Sequence, residues 1–116
     1  MITGKKIPFI RENVKMNKAL KVLTQKKLGV LIVKNKSGNT IGIITDGQIR
    51  RAGQKTNNLQ NLIVKNVMTS NPVSTNTDTL AAKALSIMNT KKITCLCVSG
   101  KKSKKKTIGI IHIHNI

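Results

Sequence analysis

Apolar residues recur along this chain in two rhythms, and the rhythms come in the same order twice. In MNKALKVLTQKKL (16–28), Met16, Ala19, Leu20, Leu23 and Leu28 lie near helical spacing, which predicts an amphipathic helix. Two short apolar runs follow, VLIV (30–33) and TIGIIT (40–45), with the length and β-branched content of strands. TLAAKALSIMNTKKI (79–93) repeats the helical spacing through Leu80, Ala84, Leu85 and Met88, with Thr79 placed as its N-cap. CLCV (95–98) and TIGIIH (107–112) repeat the strands. A short strand is predicted before each helix, at IPFI (7–10) and PVST (72–75). After Thr45 the pattern turns helical over GQIRRAGQ, with Thr45 or Asp46 as cap. Each copy therefore reads β-α-β-β-α.

The copies align residue by residue. Ala19-Leu20 matches Ala84-Leu85, and KKLGVLIV (26–33) matches KKITCLCV (91–98), both at an offset of 65. Gly42 matches Gly109 at an offset of 67, the two extra residues falling in the lysine loop. The pattern divides the chain into repeat 1 at residues 1–62 and repeat 2 at residues 63–116. Strands this apolar cannot face water on either side, and one unit of about 55 residues buries them poorly alone. The expected fold is therefore α/β (α+β), with two β-α-β-β-α repeats packed pseudo-symmetrically, face to face, as one compact module. Gly42 and Gly109 interrupt strands, where glycine weakens pairing. A bulge, a tight helix–strand contact and the close approach of a ligand are all open readings.

Composition narrows the function. Apolar residues make up 39% of the chain, and Phe9 is the single aromatic, which argues against base-stacking recognition of RNA or single strands. No apolar run approaches the roughly 18 residues that span a bilayer. MITGKKIPFI lacks the apolar stretch of a secretory signal. These features lead to the expectation of a cytoplasmic chain with no membrane partner. The net charge is +19, from 22 Lys and Arg against 3 acids. Nineteen of the basic residues are lysines spread along the chain beside abundant Asn and Ile, the usage an AT-rich genome favours. Only KKSKKK (101–106) clusters, between two strands, as a solvated loop. Nucleic acid is accordingly disfavoured as a partner. Cys95 and Cys97 fall on one face of one strand, a placement that suits two buried thiols in a reducing compartment.

The tandem unit, with Gly-apolar-apolar-Thr before a helix, resembles the cystathionine-β-synthase (CBS) domain pair, or Bateman module, over essentially the whole chain. LGVLIVKNKSGNTIGIITDGQIRR, NVMTSNPVS, LAAKALSIMNTKKIT and GIIHIHNI together resemble the CBS pair of bacterial D-arabinose 5-phosphate isomerases, enzymes of the Kdo branch of lipopolysaccharide synthesis. The close pattern there has TDGDLRR in the first copy and His-apolar-His-Asp in the second. CBS pairs of sugar-phosphate nucleotidyltransferases carry a similar TDGDIRR stretch without the His-X-His segment. The resemblance implies that the chain is a fragment. MITGKKIP matches NVMTSNP only from the Met onward, and Ile116 falls where the last helix is due to begin. It also implies that catalysis belongs to an absent N-terminal sugar isomerase (SIS) domain, a partner of this module. The acids Glu12, Asp46 and Asp78 are scattered over the repeat and form no pair for enediol proton transfer. No catalytic residue is assigned, and the chain is read as non-enzymatic.

CBS pairs commonly hold adenosine nucleotides in the cleft between copies, a hydroxyl contacting phosphate and an Asp holding the ribose. The resemblance places the hydroxyl position at Thr45 and His112, and the Asp position at Gln48 and Asn115. Both carboxylates have become amides, which lose charge-assisted acceptance of a ribose hydroxyl. What remains favours a small anionic ligand. Thr45 can donate to phosphate, the helix start beside Asp46 and Gly47 offers free N–H groups, and Arg50 and Arg51 add bidentate donors. His112 and His114 share a strand face and bind an anion when protonated. Asp46, as a helix cap, and the arginines, as a solvated face, also have purely structural readings. Cys95, Cys97, His112 and His114 are the residue types of a Cys2His2 zinc site, but Val30 and Ile32 stand at the cysteine positions in copy one, so no metal is assigned. No cofactor is expected beyond a nucleotide or nucleotide-sugar effector such as CMP-Kdo, and assembly as a homodimer or higher through the pairs is expected. The competing reading is a purely structural oligomerisation module with no ligand.

Overall fold

The computed structural model describes residues 2–26, 28–78, 81–100 and 105–113. In chain order the elements are β1 (Ile2–Thr3), β2 (Phe9–Arg11), α1 (Met16–Lys26), β3 (Val30–Lys34), β4 (Thr40–Thr45), α2 (Asp46–Lys55), α3 (Val64–Val67), β5 (Thr69–Ser70), β6 (Ser74–Asn76), α4 (Ala81–Lys91), β7 (Cys95–Ser99) and β8 (Thr107–His112). Single 3-10 turns occupy Gly4–Lys6 and Leu59–Asn61. Two compact units result. Pro8–Asn71 is one, and Met1–Ile7 with Pro72–Ile116 is the other.

In the Pro8–Asn71 unit the sheet order is β2-β3-β4-β5. α1 carries the crossover between parallel β2 and β3, and β3 turns back into antiparallel β4. The Asn35 carboxamide makes that turn by accepting from the N–H groups of Ser37 and Asn39, each at 3.0 Å. Gly38 supplies a left-handed φ of 83°. Met16, Ala19 and Leu23 of α1 pack on Ile10, Leu31, Val33, Ile44 and Val64. Val30 and Ile32 point to the other face of the sheet, yet they are 1% and 0% exposed. β3 is thus buried on both sides, which is why it reads as an unbroken apolar run. At the sheet edge, the Lys34 ammonium lies 4.5 Å from the Phe9 ring centre, a cation–π contact that covers the lone aromatic.

The second unit repeats the plan with sheet order β1-β8-β7-β6. β6 runs parallel to β7, and β7 antiparallel to β8. Ala84 and Met88 of α4 pack on Leu96. Cys95 and Cys97 alternate to the opposite face and are buried there too.

The four long strands and the two long helices lie where the apolar patterns predict them, with differences at the ends. The short strands before each helix, β2 and β6, begin two residues late, at Phe9 and Ser74. Leu28 is not helical, because α1 stops at Lys26 and Gly29 follows with φ 69°, a left-handed conformation that ends a helix. Thr79, Leu80 and the closing segment 114–116 lie outside the described residues.

The strand pairing holds a feature that the pattern does not show. β5, which follows the NVM that opens the second repeat, pairs with β4 through Ser70–Gly42 and Thr69–Ile43. β1, at the head of the first repeat, pairs with β8 through Thr3–Gly109 and Ile2–Ile110. These pairs correspond position by position at an offset of 67, so each repeat's leading strand completes the sheet of the other. The residue after each leading strand is left-handed in both cases, Gly4 at φ 62° and Asn71 at φ 54°. Gly and Asn are the residues that tolerate this conformation.

The same pairing explains Gly42. A Cβ built there would collide with the Met68 side chain and lie 3.1 Å from the Thr69 carbonyl oxygen. The neighbouring ladder also slips by one residue, leaving Ile41 opposite no partner between Val33 and Lys34, a bulge. Ile108 is left over in the same way beside Gly109. The bulge reading of the repeated glycine therefore applies in both repeats, while at Gly42 the close contact is with Met68 and Thr69 at the entry to β5, not with a helix. Gly42→Ala is expected to cost about 1–3 kcal/mol, the usual penalty for overpacking. Shortening the wedge with Met68→Ala in the same chain should return part of that loss. Urea unfolding of the single and double variants checks both statements.

Candidate functional site

The chain bends from β4 into α2 at Thr45, and the bend is held by its own side chains. Thr45 is the N-cap, with extended φ and ψ of −117° and 161°. Its hydroxyl accepts from the Gln48 N–H at 3.4 Å, and the Gln48 Oε1 accepts from the Thr45 N–H at 2.7 Å. This reciprocal pair is a capping box, which satisfies two otherwise orphaned donors at a helix start. Gln48 is therefore engaged through its carbonyl oxygen. Asp46 is not the cap but the first helical residue, where its carboxylate complements the positive end of the helix.

Two further residues shape this corner. The Asp46 N–H donates to the Gly29 carbonyl at 3.2 Å. A Cβ at Gly29 would sit 2.9 Å from Asp46 Oδ2, so the carboxylate rests on a glycine surface. The Arg51 guanidinium folds back over the first turn, with a nitrogen 3.3 Å from where a Cβ of Gly47 would lie. Arg50 and Arg51 are both exposed. Thr45, Asp46, Gln48 and Arg51 thus come together at one helix start, while Arg50 lies along the helix. Gly29, not singled out by the pattern, belongs with them; a glycine just before a strand was the signal available.

The corresponding corner of the other unit keeps the backbone and changes the chemistry. The Ile113 N–H donates to the Thr94 carbonyl at 2.8 Å, matching the Asp46–Gly29 bond at offsets of 67 and 65. Ile113 thus stands where Asp46 stands, Thr94 where Gly29 does, and half-buried His112 at the Thr45 position. His112 pairs across the strands with Cys95. His114 and Asn115 lie outside the described residues.

Burial pushes the Cys95 thiol up from the ordinary 9.0 to about 12, with Cys97 beside it adding to the rise. Cys97 is also raised by burial, partly offset by a hydrogen bond with Thr107. Protonated thiols are poor metal ligands. Among the described residues, no three His, Cys, Asp or Glu side chains are grouped so as to hold a metal ion.

The sequence profile of the CBS domain matches residues 2–55 and again residues 64–116. The chain belongs to the CBS domain family, as a tandem pair. Its full length is 34% identical to the uncharacterized protein RP505 of Rickettsia prowazekii. It is 31% identical to arabinose 5-phosphate isomerase KdsD of Yersinia pestis. It covers 35% and 34% of those two proteins, so it spans about a third of the length of the curated relatives it matches. Among solved structures, the CBS domain protein PAE2072 of Pyrobaculum aerophilum, complexed with AMP, superposes with a TM-score of 0.85 at 14% identity, over 97% of this chain and 84% of that one. The CBS pair of protein MJ0100, with 5′-methylthioadenosine and S-adenosyl-L-methionine, gives 0.84 at 21% identity, over 98% and 87%. At such identities the likeness is one of fold. As a CBS pair the chain is a regulatory module, not itself catalytic. Among the described residues no helix is long and apolar enough to cross a membrane.

The capping box of the first CBS repeat sets a clear expectation. Gln48→Ala should lower stability by about 1 kcal/mol, as loss of a cap does, whereas Gln48→Glu should keep the cap; thermal melts at neutral pH compare them. The buried thiols set another. A rise of this size leaves Cys95 roughly a thousand-fold less ionised than an exposed thiol at the same pH. Iodoacetamide should therefore label both cysteines far more slowly in the folded chain than in urea. Below pH 9 both folded and unfolded chains hold the Cys95 proton. From there towards pH 12 the unfolded chain releases it first, so this thiol contributes a loss of stability across that window.

Proposed function

We propose that this CBS pair is the regulatory and assembly module of a cytoplasmic D-arabinose 5-phosphate isomerase whose catalytic SIS domain lies elsewhere in the same protein. The observation that carries the reading is the match of the whole chain, at 31% identity in Yersinia pestis and 28% in Escherichia coli K12, to about a third of each KdsD isomerase. CBS pairs of the same fold hold AMP or S-adenosyl-L-methionine, which supports a nucleotide-type effector here.

The start of α2 narrows the chemistry of that effector. The Thr45 hydroxyl donates to Gln48 Oε1 at 3.4 Å, and the Asp46 and Gln48 N–H groups are taken by the Gly29 carbonyl and the Thr45 hydroxyl, so the exposed Arg51 guanidinium is the donor at this corner that best suits phosphate or carboxylate. The ribose-holding Asp is replaced by Gln48, and the Gln48 acceptor oxygen is occupied by the Thr45 N–H. A ligand rich in negative charge, such as CMP-Kdo or a phosphorylated sugar, is therefore favoured over a neutral nucleoside. His112, His114 and Asn115 are the second repeat's own candidate ligand residues. The alternative, an assembly module without a ligand, is favoured by the same engagement of Gln48.

Calorimetric titration with CMP-Kdo, arabinose 5-phosphate, AMP and ATP tests the reading. At least one phosphorylated ligand should bind, and Arg51→Ala should weaken it about ten-fold, the loss of one charge-assisted hydrogen bond. If none binds to a chain that is folded by circular dichroism, sensing is wrong and the assembly reading stands. Light scattering of the isomerase with and without the pair then measures what assembly owes to it.

A further inference from the structure

The exchanged leading strand has a use that the ligand chemistry does not touch. β1 lies at the edge of the second unit's sheet, where Ile2 and Thr3 pair with Ile110 and Gly109. Two residues beyond Ile110 on the same strand is His112, one of the candidate ligand residues and the position equivalent to Thr45. One strand therefore carries the candidate ligand contact at its end and the leading strand along its middle. Any domain that precedes residue 2 enters the module through that pairing.

The two leading strands are not held alike. β5 is preceded by α3, whose Val64 is fully buried, and Met68 is wedged against Gly42. The segment before α3 is also tied back, since the Val64 and Lys65 N–H groups donate to the carbonyls of Val14 and Glu12 at 2.8 and 3.0 Å. β1 has its burial downstream, at Ile7 and Pro8, while Ile2 is half-buried and Thr3 exposed. Both are two-residue edge ladders and both residues of β5 are exposed, so the difference lies in the chain leading into each; a ladder this short without such anchoring belongs to the low-stability end of a structure, where local opening occurs first.

We propose that the β1–β8 ladder is the latch through which ligand binding at the end of β8 reaches the catalytic domain. This rests on the reading above, in which an isomerase domain precedes the pair. A ligand that grips the end of β8 favours one setting of that strand, and β1 is either paired to it or released. The upstream domain feels the difference as a fixed or a free tether. Coupling of this kind can be no larger than the ligand's difference in affinity for the two settings. Thr3 is a positioning residue in this scheme and touches no ligand.

The test uses the full-length protein, with CMP-Kdo and AMP as the probes. Isomerase rate and ligand affinity are measured for the wild type, Thr3→Pro and Thr3→Val. Thr3 has φ −137°, which the proline ring excludes by holding φ near −65°, so Thr3→Pro unpairs β1; valine keeps the strand. Expected are an unchanged affinity in Thr3→Val, an affinity in Thr3→Pro that differs from the wild type by the coupling factor because β1 can no longer pair, a ligand-dependent change of rate in the wild type and in Thr3→Val, and a response at least five-fold smaller in Thr3→Pro. An undiminished response in Thr3→Pro overturns the latch while leaving the sensing reading intact. Absence of binding by the wild type overturns the sensing reading and the latch with it. Should Thr3→Pro fail to fold, amide exchange of residues 2–3 and 109–110 in the wild type decides. Exchange that shifts at least five-fold on saturation with the bound probe supports the latch, and unchanged exchange overturns it.

Discussion

Position 42 carries no side chain because Met68 occupies the space where one would be, and much of the first unit follows from that contact. The methionine can reach the glycine only if β5 lies beside β4. β5 can lie there only if the 62–65 segment is drawn back onto the entrance of α1, where the Met16 N–H donates to the Leu62 carbonyl at 2.7 Å. The bulge at Ile41 accommodates the approach, and the Asn71 N–H then donates to the Ile41 carbonyl at 3.2 Å. A left-handed residue is needed to make that bond and leave the sheet, so Asn71 adopts φ 54°. Glycine, methionine, bulge and turn are four parts of one fitted joint. Its shape, not hydrophobic area alone, fixes the register of a strand only two residues long.

The repeat made most of the architecture legible. Unbroken apolar runs such as VLIV and CLCV could only be strands buried on both faces, and Met16, Ala19 and Leu23 marked the inward face of α1. The leading strands were not legible. Thr69–Ser70 and Ile2–Thr3 are too short to show alternation, and their partners lie dozens of residues away. Leu28 has helical spacing, but the left-handed backbone at Gly29 overrides the periodicity. Local pattern reports which side chains want burial; it does not report where a chain must turn to let a distant strand in.

The candidate site shows the same division. Thr45 and Gln48 satisfy Thr-x-x-Gln, a sequence signature of a capping box. Read beside the ribose-binding pattern of the family, Gln48 looks like a weakened ligand residue. In the fold it is first a member of the cap, held by the Thr45 N–H at 2.7 Å. The fold-back of Arg51 over Gly47 follows from its i+4 spacing. The seat of Asp46 on Gly29 was beyond local reading, because a sixteen-residue hairpin separates them and only the β3–β4 register brings them together. The second repeat copies the Asp46–Gly29 backbone bond as Ile113–Thr94 and replaces the side chains at those positions, so scaffold and chemistry are separable there.

The register of β1 also sets how the module answers a pull. Ile2 pairs with Ile110 in antiparallel sense, so tension applied at residue 2 and at residue 113 loads the ladder end-on and parts its bonds one after another. This is an unzipping geometry, the weakest that a sheet offers. A pull on residue 2 would therefore be met first by two residues of edge strand, and the rest of the β7–β8 sheet would be loaded only after them.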